Sequence, residues 1–413
     1  ANTDPSSSAP KARWYNFYSI INTVRSMLSK MNEGDLVYTE GGKDMNFKLY
    51  ANNYFLLGIA YAEMALCFDK CFLLTENTDV ETITKDDIRP SSEIRDAALG
   101  YLDKCIDICR NNTFSNFDGT FPGNAVGDNT KLMQVANFMA ARLLAYYPRT
   151  NKADTPDWKK VLEYARNALT EDICAEMPAN EATYGCWSQA VAGYHTSQWV
   201  RPSMRIIAMM APDDKGAVWP IPKDYSFAKD GPMPKVVNCP DARLNNPEYF
   251  VYTDVVTTGS GAQFNNSYSS YYMGEKNRFS LTGQPSGEGT LYLFTKTESD
   301  LIYAEALANN GKLAEAAALV NLTHKNVGGM TDIDASSSKD KIIESVYYEM
   351  FVECCFASSA TGWYNRRRTP VDKFQLTTRS YRELPVPKVE IDFYGLEDYT
   401  FGGPRDEYKE YQF

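Results

Sequence analysis

Apolar residues recur at spacings of three and four along much of the chain, which is the pattern of amphipathic helices. The pattern is clearest between Lys296 and Gly329, where it predicts two short helices, Lys296 to Asn309 and Leu313 to Lys325. The Asn309-Asn310-Gly311 turn separates them, because Gly and Asn readily adopt the positive φ that ends a helix. Many alanines let the two helices lie close together. Such a pair leaves an apolar face uncovered and therefore needs neighbouring helices.

The same spacing predicts the neighbours. Further helices are expected over Trp14 to Met31, Asp44 to Phe68, Ser91 to Arg110, Asn129 to Tyr147, Trp158 to Thr170 and Lys339 to Phe356. Ser91 or Ser92 is expected to cap the third of these helices, and Asp128 or Asn129 to begin the fourth. The helix lengths resemble tetratricopeptide units, although no clean 34-residue repeat is visible. We therefore predict a mostly α protein whose helix pairs form an α-solenoid base.

A long segment in the middle of the chain breaks this pattern. Residues 178–289 contain ten of the 20 prolines and few helix signals, with one short strand expected from Phe250 to Val256. The tail from residue 361 to 413 also reads as irregular. We predict one domain over 1–413, with a helical base over 14–177 and 290–360. The loop-rich, ligand-bearing part would comprise 178–289 and 361–413, because ordered loops on rigid scaffolds often carry binding sites.

Composition and motifs exclude several classes of function. A formal net charge of −11 and a pI near 4.9 argue against a nucleic-acid surface. No run of 18 apolar residues is present, so no membrane span is expected. The two histidines, His195 and His324, are far apart in sequence, and no nucleophile elbow, zinc-protease motif or P-loop occurs. We predict that the protein is not an enzyme, while a glycosidase-type carboxylate pair among 53 acidic residues stays open.

The nine cysteines could suggest a metal site. Cys67/Cys71 and Cys105/Cys109 are each spaced four apart, near the ends of consecutive helices. If those helices are antiparallel, the two pairs lie at opposite ends and cannot share one zinc ion, so buried free thiols are expected. No cofactor is predicted, although the acidic stretch from Asp79 to Asp87 permits a structural Ca²⁺.

Several segments, in order, resemble motifs of the SusD-like (RagB) nutrient-binding outer-membrane lipoproteins. They are ANNYFLLGIAYAEMALCFDKCFLL from Ala51, KLMQVANFMAARLLAYY from Lys131, SDLIYAEALANNGKLAEAAALVNLTHKNVG from Ser299, the stretch from Tyr348 to Arg367, and LPVPKVE from Leu384. The resemblance covers roughly residues 14 to 395. His324-Lys325-Asn326 departs from it, since an Arg-x-Arg pair is usual there, and Cys354-Cys355 and Ser358-Ser359 depart from its Glu-Gly and Arg.

The resemblance implies a surface-exposed lipoprotein of the outer membrane, anchored through an N-terminal lipid whose cysteine is not in this chain. Such a protein captures a nutrient, most commonly a glycan, and passes it to a SusC-like TonB-dependent transporter. The tetratricopeptide-like helices would face the transporter. Peptide or other nutrient binding on the same scaffold, and a pure protein-interaction scaffold, stay open as alternatives.

The ligand is expected to be an oligosaccharide or polysaccharide held by aromatic rings and amides in the loop-rich segment, because sugar rings pack on aromatic planes while amides bond the hydroxyls. The candidate residues are Tyr184, Trp187, Tyr194, Trp199, Asn265, Asn266, Tyr268, Tyr271 and Tyr272. Arg366, Arg367 and Arg368 could instead meet an anionic ligand, but a solvated turn or structural salt bridges to Glu349 and Glu353 are the preferred interpretations. Glu305 is expected to bond a neighbouring helix.

Overall fold

The structure is a computed structural model, and it describes residues 8–150, 155–177, 202–222, 224–225, 230–231, 233–252, 271–273, 289–354, 360–377 and 380–396. The helices are α1 Ser8–Glu33, α2 Asn46–Cys67, α3 Ser91–Asn111, α4 Asn129–Tyr146, α5 Trp158–Arg166, α6 Met204–Met210, α7 Ala242–Asn245, α8 Lys296–Asn309, α9 Leu313–Val320, α10 Lys339–Val352, α11 Thr361–Arg368 and α12 Lys388–Tyr394. The strands are β1 Thr39–Glu40, β2 Lys43–Asp44, β3 Lys70–Phe72, β4 Ile88–Pro90, β5 Ile173–Met177, β6 Phe250–Tyr252, β7 Tyr271–Met273 and β8 Gly289–Phe294. The predicted fold class, mostly α with helix pairs, is confirmed.

The chain divides into two compact units. The described residues of the first lie within 8–118, 126–170 and 376–396, and those of the second within 119–125 and 171–375. The first unit contains α1 to α5 and α12, whereas the second contains α6 to α11. The prediction of one domain over 1–413, with its base and loop-rich parts, stays a prediction.

In the first unit, successive helices pack on one another, from α1 against α2 to α4 against α5. Their apolar faces supply a core that includes Trp14, Phe55, Leu102 and Phe138, each no more than 2% exposed. Gly58 of α2 sets the distance to α3, because a Cβ placed there would lie 2.7 Å from the Leu102 side chain. A small residue is therefore needed where these two helices approach most closely.

Side-chain caps define several helix starts. Asp128 accepts a hydrogen bond from the Lys131 amide at α4, and Thr295 and Ser338 cap α8 and α10 in the same manner. The serine cap predicted for α3 is wrong, because Pro90 holds the N-cap position and no side chain bonds the first amides. Both serines are instead the first residues of the helix, where Ser91 Oγ lies 3.0 Å from the Tyr147 hydroxyl.

The LPVPKVE motif has a structural role in the first unit. The Leu384 amide donates to the Cys67 carbonyl at 2.7 Å, just at the end of α2, and Val386 is fully buried. Arg149 donates to the Leu66 and Phe68 carbonyls at 2.9 and 3.0 Å. These bonds satisfy carbonyls that the end of an α-helix leaves without intrahelical partners.

In the second unit, α8 packs against α9 and both pack against α10. The predicted bounds of α8 are confirmed, whereas α9 ends at Val320 rather than Lys325 and continues as turns. The tail differs more clearly, because α11 forms where an irregular segment was expected. Its three successive arginines hide the helical pattern, because charged residues indicate an exposed segment, whereas Arg367 and Arg368 are buried.

Within the described residues, no helix is both long and apolar enough to cross a lipid bilayer. Cys67, Cys71, Cys105 and Cys109 are buried thiols that are not joined in disulfides, as expected. Burial in apolar surroundings raises the pKa of the Cys71 thiol well above its usual value.

Candidate functional site

Two antiparallel strand pairs enclose the loop-rich segment. The outer pair joins β5 to β8, with Met177 opposite Gly289, so the chain enters and leaves 178–288 at one place. The inner pair joins β6 to β7, with Val251 opposite Tyr272 and Tyr252 opposite Tyr271. The two ends of 253–270 are therefore held at a single point as well.

The inner pair contains Tyr271 and Tyr272, the two predicted ligand residues that are among the described residues. The backbones of Tyr271 and Tyr272 form β7. The predicted strand Phe250 to Val256 is observed over Phe250–Tyr252. The other candidates lie outside the described residues: Tyr184, Trp187, Tyr194, Trp199, Asn265, Asn266 and Tyr268. Their assignment to the ligand site stays a prediction.

β6 is anchored on both sides of its short length. Phe250 is 2% exposed, and its amide donates to the Asn246 carbonyl at 3.0 Å, directly after α7. The Tyr252 hydroxyl donates to the Met233 carbonyl at 3.1 Å. β6, the strand that pairs with Tyr271 and Tyr272, is thus held in place by the buried Phe250 ring and by hydrogen bonds to neighbouring backbone carbonyls.

A buried charge cluster, which sequence reasoning missed, holds α7 against α10. The Arg243 guanidinium donates to both carboxylate oxygens of Asp241, at 2.9 and 2.6 Å. It also donates to both oxygens of Glu349, at 2.8 and 3.1 Å, and to Glu353 at 2.7 Å. Arg243, Asp241 and Glu349 are at most 1% exposed. We refer to Asp241, Arg243, Glu349, Glu353 and His324 as the Arg243 cluster.

The electrostatics of the cluster keep its central groups charged. Burial alone would raise the pKa of Glu349, but the Arg243 charge and the bonds from His324 and Arg243 outweigh it and lower that pKa. Burial would lower the pKa of Arg243, yet Glu349 and Asp241 raise it well above its usual value. Buried charges persist in this way only when they are paired and hydrogen-bonded.

His324 belongs to this cluster and has a partner that the sequence did not reveal. Its Nδ1 lies 2.9 Å from Glu349 Oε1, and the residue is 5% exposed. Gly328 makes room for the arrangement, because a Cβ there would lie 2.8 Å from Arg243 Nη2. One feature of the sequence could have indicated this cluster: His324 stands where the family resemblance leads one to expect an arginine. In this chain, the guanidinium that binds Glu349 comes from Arg243 instead.

The expected partners of the triple arginine are wrong. Glu349 and Glu353 bind Arg243, whereas Arg368 binds Glu305 through both carboxylate oxygens at 2.8 and 2.7 Å. Arg366 lies over the Phe351 ring and donates to the Phe374 carbonyl. The carboxylates of Glu349 and Glu353 are therefore close to Arg368 in sequence, but Arg368 pairs with the more distant Glu305.

The role expected for Glu305 is confirmed. This residue of α8 is 2% exposed and accepts a hydrogen bond from the Tyr347 hydroxyl of α10 at 2.8 Å. Together with Arg368 of α11, it joins three helices of the second unit. Buried carboxylates require such partners.

No group of three or more His, Cys, Asp or Glu side chains in the described part of the chain could hold a metal ion. In the stretch that would permit Ca²⁺, Asp79 accepts from the Glu81 amide and Asp87 accepts from the Thr84 amide. Those two carboxylates cap short 3₁₀ turns of their own segment.

Solved structures share this fold over most of the chain. A SusD-like protein from Bacteroides fragilis matches with a TM-score of 0.61 at 14% identity, covering 92% of this chain and 78% of its own. A SusD superfamily protein from Parabacteroides distasonis has a TM-score of 0.59 at 13% identity, covering 96% and 87%. A SusD-like carbohydrate binding protein from Bacteroides vulgatus has a TM-score of 0.51 at 15% identity, covering 87% and 70%.

No protein-family model matches the sequence, and no curated protein matches it either. The likeness is therefore one of three-dimensional structure at low identity. This chain has the SusD-like fold, and the resemblance stated from its sequence motifs is confirmed at that level.

Proposed function

We propose that this protein captures a glycan at the cell surface without cleaving it and hands it to a SusC-like TonB-dependent transporter in the outer membrane. The observation that carries the proposal is the SusD-like fold across nearly the whole chain, which is shared with a SusD-like carbohydrate binding protein. An N-terminal lipid outside this sequence would anchor the protein to the membrane surface.

The glycan would bind to the aromatic and amide side chains of the loop-rich segment. Two features support this placement. The segment carries nine candidate residues of the types that bind sugars, and the β5–β8 and β6–β7 pairs give it fixed ends on the scaffold. A rigid frame around variable loops is a common arrangement for binding sites.

Affinity gel electrophoresis with a panel of polysaccharides tests the proposal. We expect at least one polysaccharide to retard the protein, with no sugar released over time. Retardation by none of the glycans together with measurable peptide binding would replace the glycan by a peptide, and binding to proteins alone would favour an interaction scaffold. Sugar release would indicate a glycoside hydrolase.

The ligand residues are tested by Tyr271→Ala and Tyr272→Ala. Loss of a ring that stacks on a sugar should weaken glycan binding about tenfold, which corresponds to about 1.4 kcal/mol. Tyr15→Ala is the matched control, since this tyrosine is 37% exposed and lies on α1, within the predicted helical base. Unchanged retention of both tyrosine variants, with the control also unchanged, would remove these two residues from the site.

The partner is tested by co-purification. Solubilised outer membranes of the native cells should yield this protein together with a TonB-dependent transporter encoded beside it. Purification without any such transporter would contradict the hand-over, while leaving glycan capture to be judged by the gel experiment.

A further inference from the structure

The second unit contains a cavity of about 440 Å³ that the proposed function does not use. It lies between α6, the turns around Met330–Ile333, the first turns of α10 and the 3₁₀ turn Asp372–Phe374. Its volume falls within the range of small-molecule sites. It is formed entirely by described residues of one unit.

One side of the cavity is apolar. Met209, Met330, Ile333 and Phe374 line it, and all except Met330 are buried. Methionine side chains are flexible and polarisable, so they adapt to ligands of differing shape. This side therefore suits the hydrocarbon body of a small molecule.

The polar groups follow one face of α10. Lys341, Ser345 and Tyr348 line the cavity at spacings of four and three, which places them on the same side of the helix. Because an α-helix rises 1.5 Å per residue, Lys341 and Tyr348 are about 10 Å apart along the axis. His324 lies at the Tyr348 end, with ring centroids 5.9 Å apart. An ammonium group and an imidazole thus mark opposite ends of the cavity.

The imidazole has one nitrogen available to a ligand. Glu349 is kept ionised by Arg243 and can only accept, so His324 Nδ1 must carry the proton it shares with Glu349. Nε2, on the other side of the ring, has no hydrogen-bond partner among the described residues, and His324 lies on the cavity wall. In the neutral imidazole, Nε2 accepts a hydrogen bond.

The charges at the other end favour an anion. The two carboxylates that line the cavity are paired, Glu344 with Lys373 at 2.5 Å and Asp332 with Lys325 at 2.6 Å. Lys341 has no ion pair within the part of the chain that the structure describes. It lies in the first turn of α10, where the helix dipole adds positive potential.

We propose that this cavity binds an amphiphilic carboxylate about 10 Å long. Its carboxylate pairs with Lys341, its apolar body lies against Met209 and Phe374, and an ammonium or hydroxyl group at its far end donates to His324 Nε2. Short apolar peptides and ω-hydroxy carboxylates share this chemistry. The inference goes beyond glycan capture and does not depend on it.

Isothermal titration calorimetry on the full chain tests the proposal and separates the two sources. The probes are the tripeptide Leu-Ala-Phe, which spans about 10 Å when extended, its C-terminal amide, 8-hydroxyoctanoate and 1,8-octanediol. We expect one of the two carboxylates to bind at least about tenfold more tightly than its counterpart without the carboxylate. Equal affinities within both pairs, or no heat from any probe at millimolar concentration, would overturn the proposal.

Matched lysine variants test the pose. Lys341→Ala should weaken the bound carboxylate about tenfold and reduce the salt dependence of binding. Lys339→Ala is the control, because this exposed lysine precedes it in the same helical turn and does not line the cavity. Equal effects of the two variants would show that only overall charge matters and would reject the assigned role of Lys341.

A third variant tests the cavity itself without touching the Arg243 cluster. Met330→Trp should fill the space and abolish carboxylate binding, while glycan retardation on gels stays as in the wild type. Carboxylate binding that survives this substitution would place it elsewhere. Because glycan retardation is measured separately, failure of this proposal and failure of glycan capture give different results.

Discussion

The two compact units stabilise their interiors by different means. Among the described residues, the four carboxylates that are at most 2% exposed, Asp241, Glu298, Glu305 and Glu349, all belong to the second unit. In the first unit, the buried Lys48 pairs with Glu40, whose carboxylate stays at the surface. Fully buried carboxylates therefore distinguish the second unit from the first. We expect the loss of a buried counter-charge to be more damaging in the second unit.

The largest effect is expected from removing the cation of the Arg243 cluster. Arg243→Met leaves Asp241 and Glu349 buried without their counter-charge, so the free energy of unfolding should fall by about 3–5 kcal/mol. Urea denaturation at neutral pH measures it. A loss below about 1 kcal/mol would mean that the cluster is not what stabilises the second unit.

Lys48→Met is the matched control in the first unit. It also replaces a buried cation by an apolar side chain of similar length, but the carboxylate it leaves behind reaches water. We expect a clearly smaller loss of stability than for Arg243→Met. Equal losses would remove the distinction between the two units.

A volume change should disturb the first unit. Gly58→Ala places a Cβ 2.7 Å from Leu102, so we expect a loss of about 1–3 kcal/mol by overpacking. Gly100→Ala, on the adjoining helix α3, has no atom within 4 Å of the new Cβ. It should stabilise by roughly 0.5–1 kcal/mol through helix propensity. Thermal denaturation of both variants checks the contrast, which would fail if the two shifts had the same sign.

A change in pH should affect the first unit through Asp69. Burial raises the pKa of this carboxyl to about 6, although Lys70 opposes the shift. Since the folded state holds the proton more tightly than the unfolded chain, this contribution to stability is full below about pH 4 and is lost as pH rises to about 6. Asp69→Asn should therefore gain on the order of 1–2 kcal/mol relative to wild type above pH 6 and little at pH 4. Parallel stability curves would contradict this.

Local patterns allowed most helices to be predicted from the sequence. The bounds of α8 and the Asp128 cap follow from residues within a few positions of each other. The Arg243 cluster could not be predicted in this way, because Arg243 and Glu349 are 106 residues apart and many acidic residues compete as partners. For the same reason, α11 was missed: its arginines are polar in sequence but buried by distant partners such as Glu305.

The candidate site shows a similar limit. Residue types indicated a loop-rich segment with sugar-binding side chains, but composition alone could not show which backbone positions would meet. The pairing of Tyr271 and Tyr272 with Tyr252 and Val251 depends on strand register, which is set by contacts between segments distant in sequence. The remaining candidates stay predictions that the tyrosine variants begin to test.

The inner strand pair also has an evolutionary consequence. Since β6 and β7 hold the ends of 253–270 together, the chain between them can lengthen or shorten while both anchor points stay in place. Each doubling of such a connection costs only about 0.6 kcal/mol of closure entropy. Homologous proteins could therefore differ in the length and sequence of this stretch while the β6–β7 pair stays unaltered.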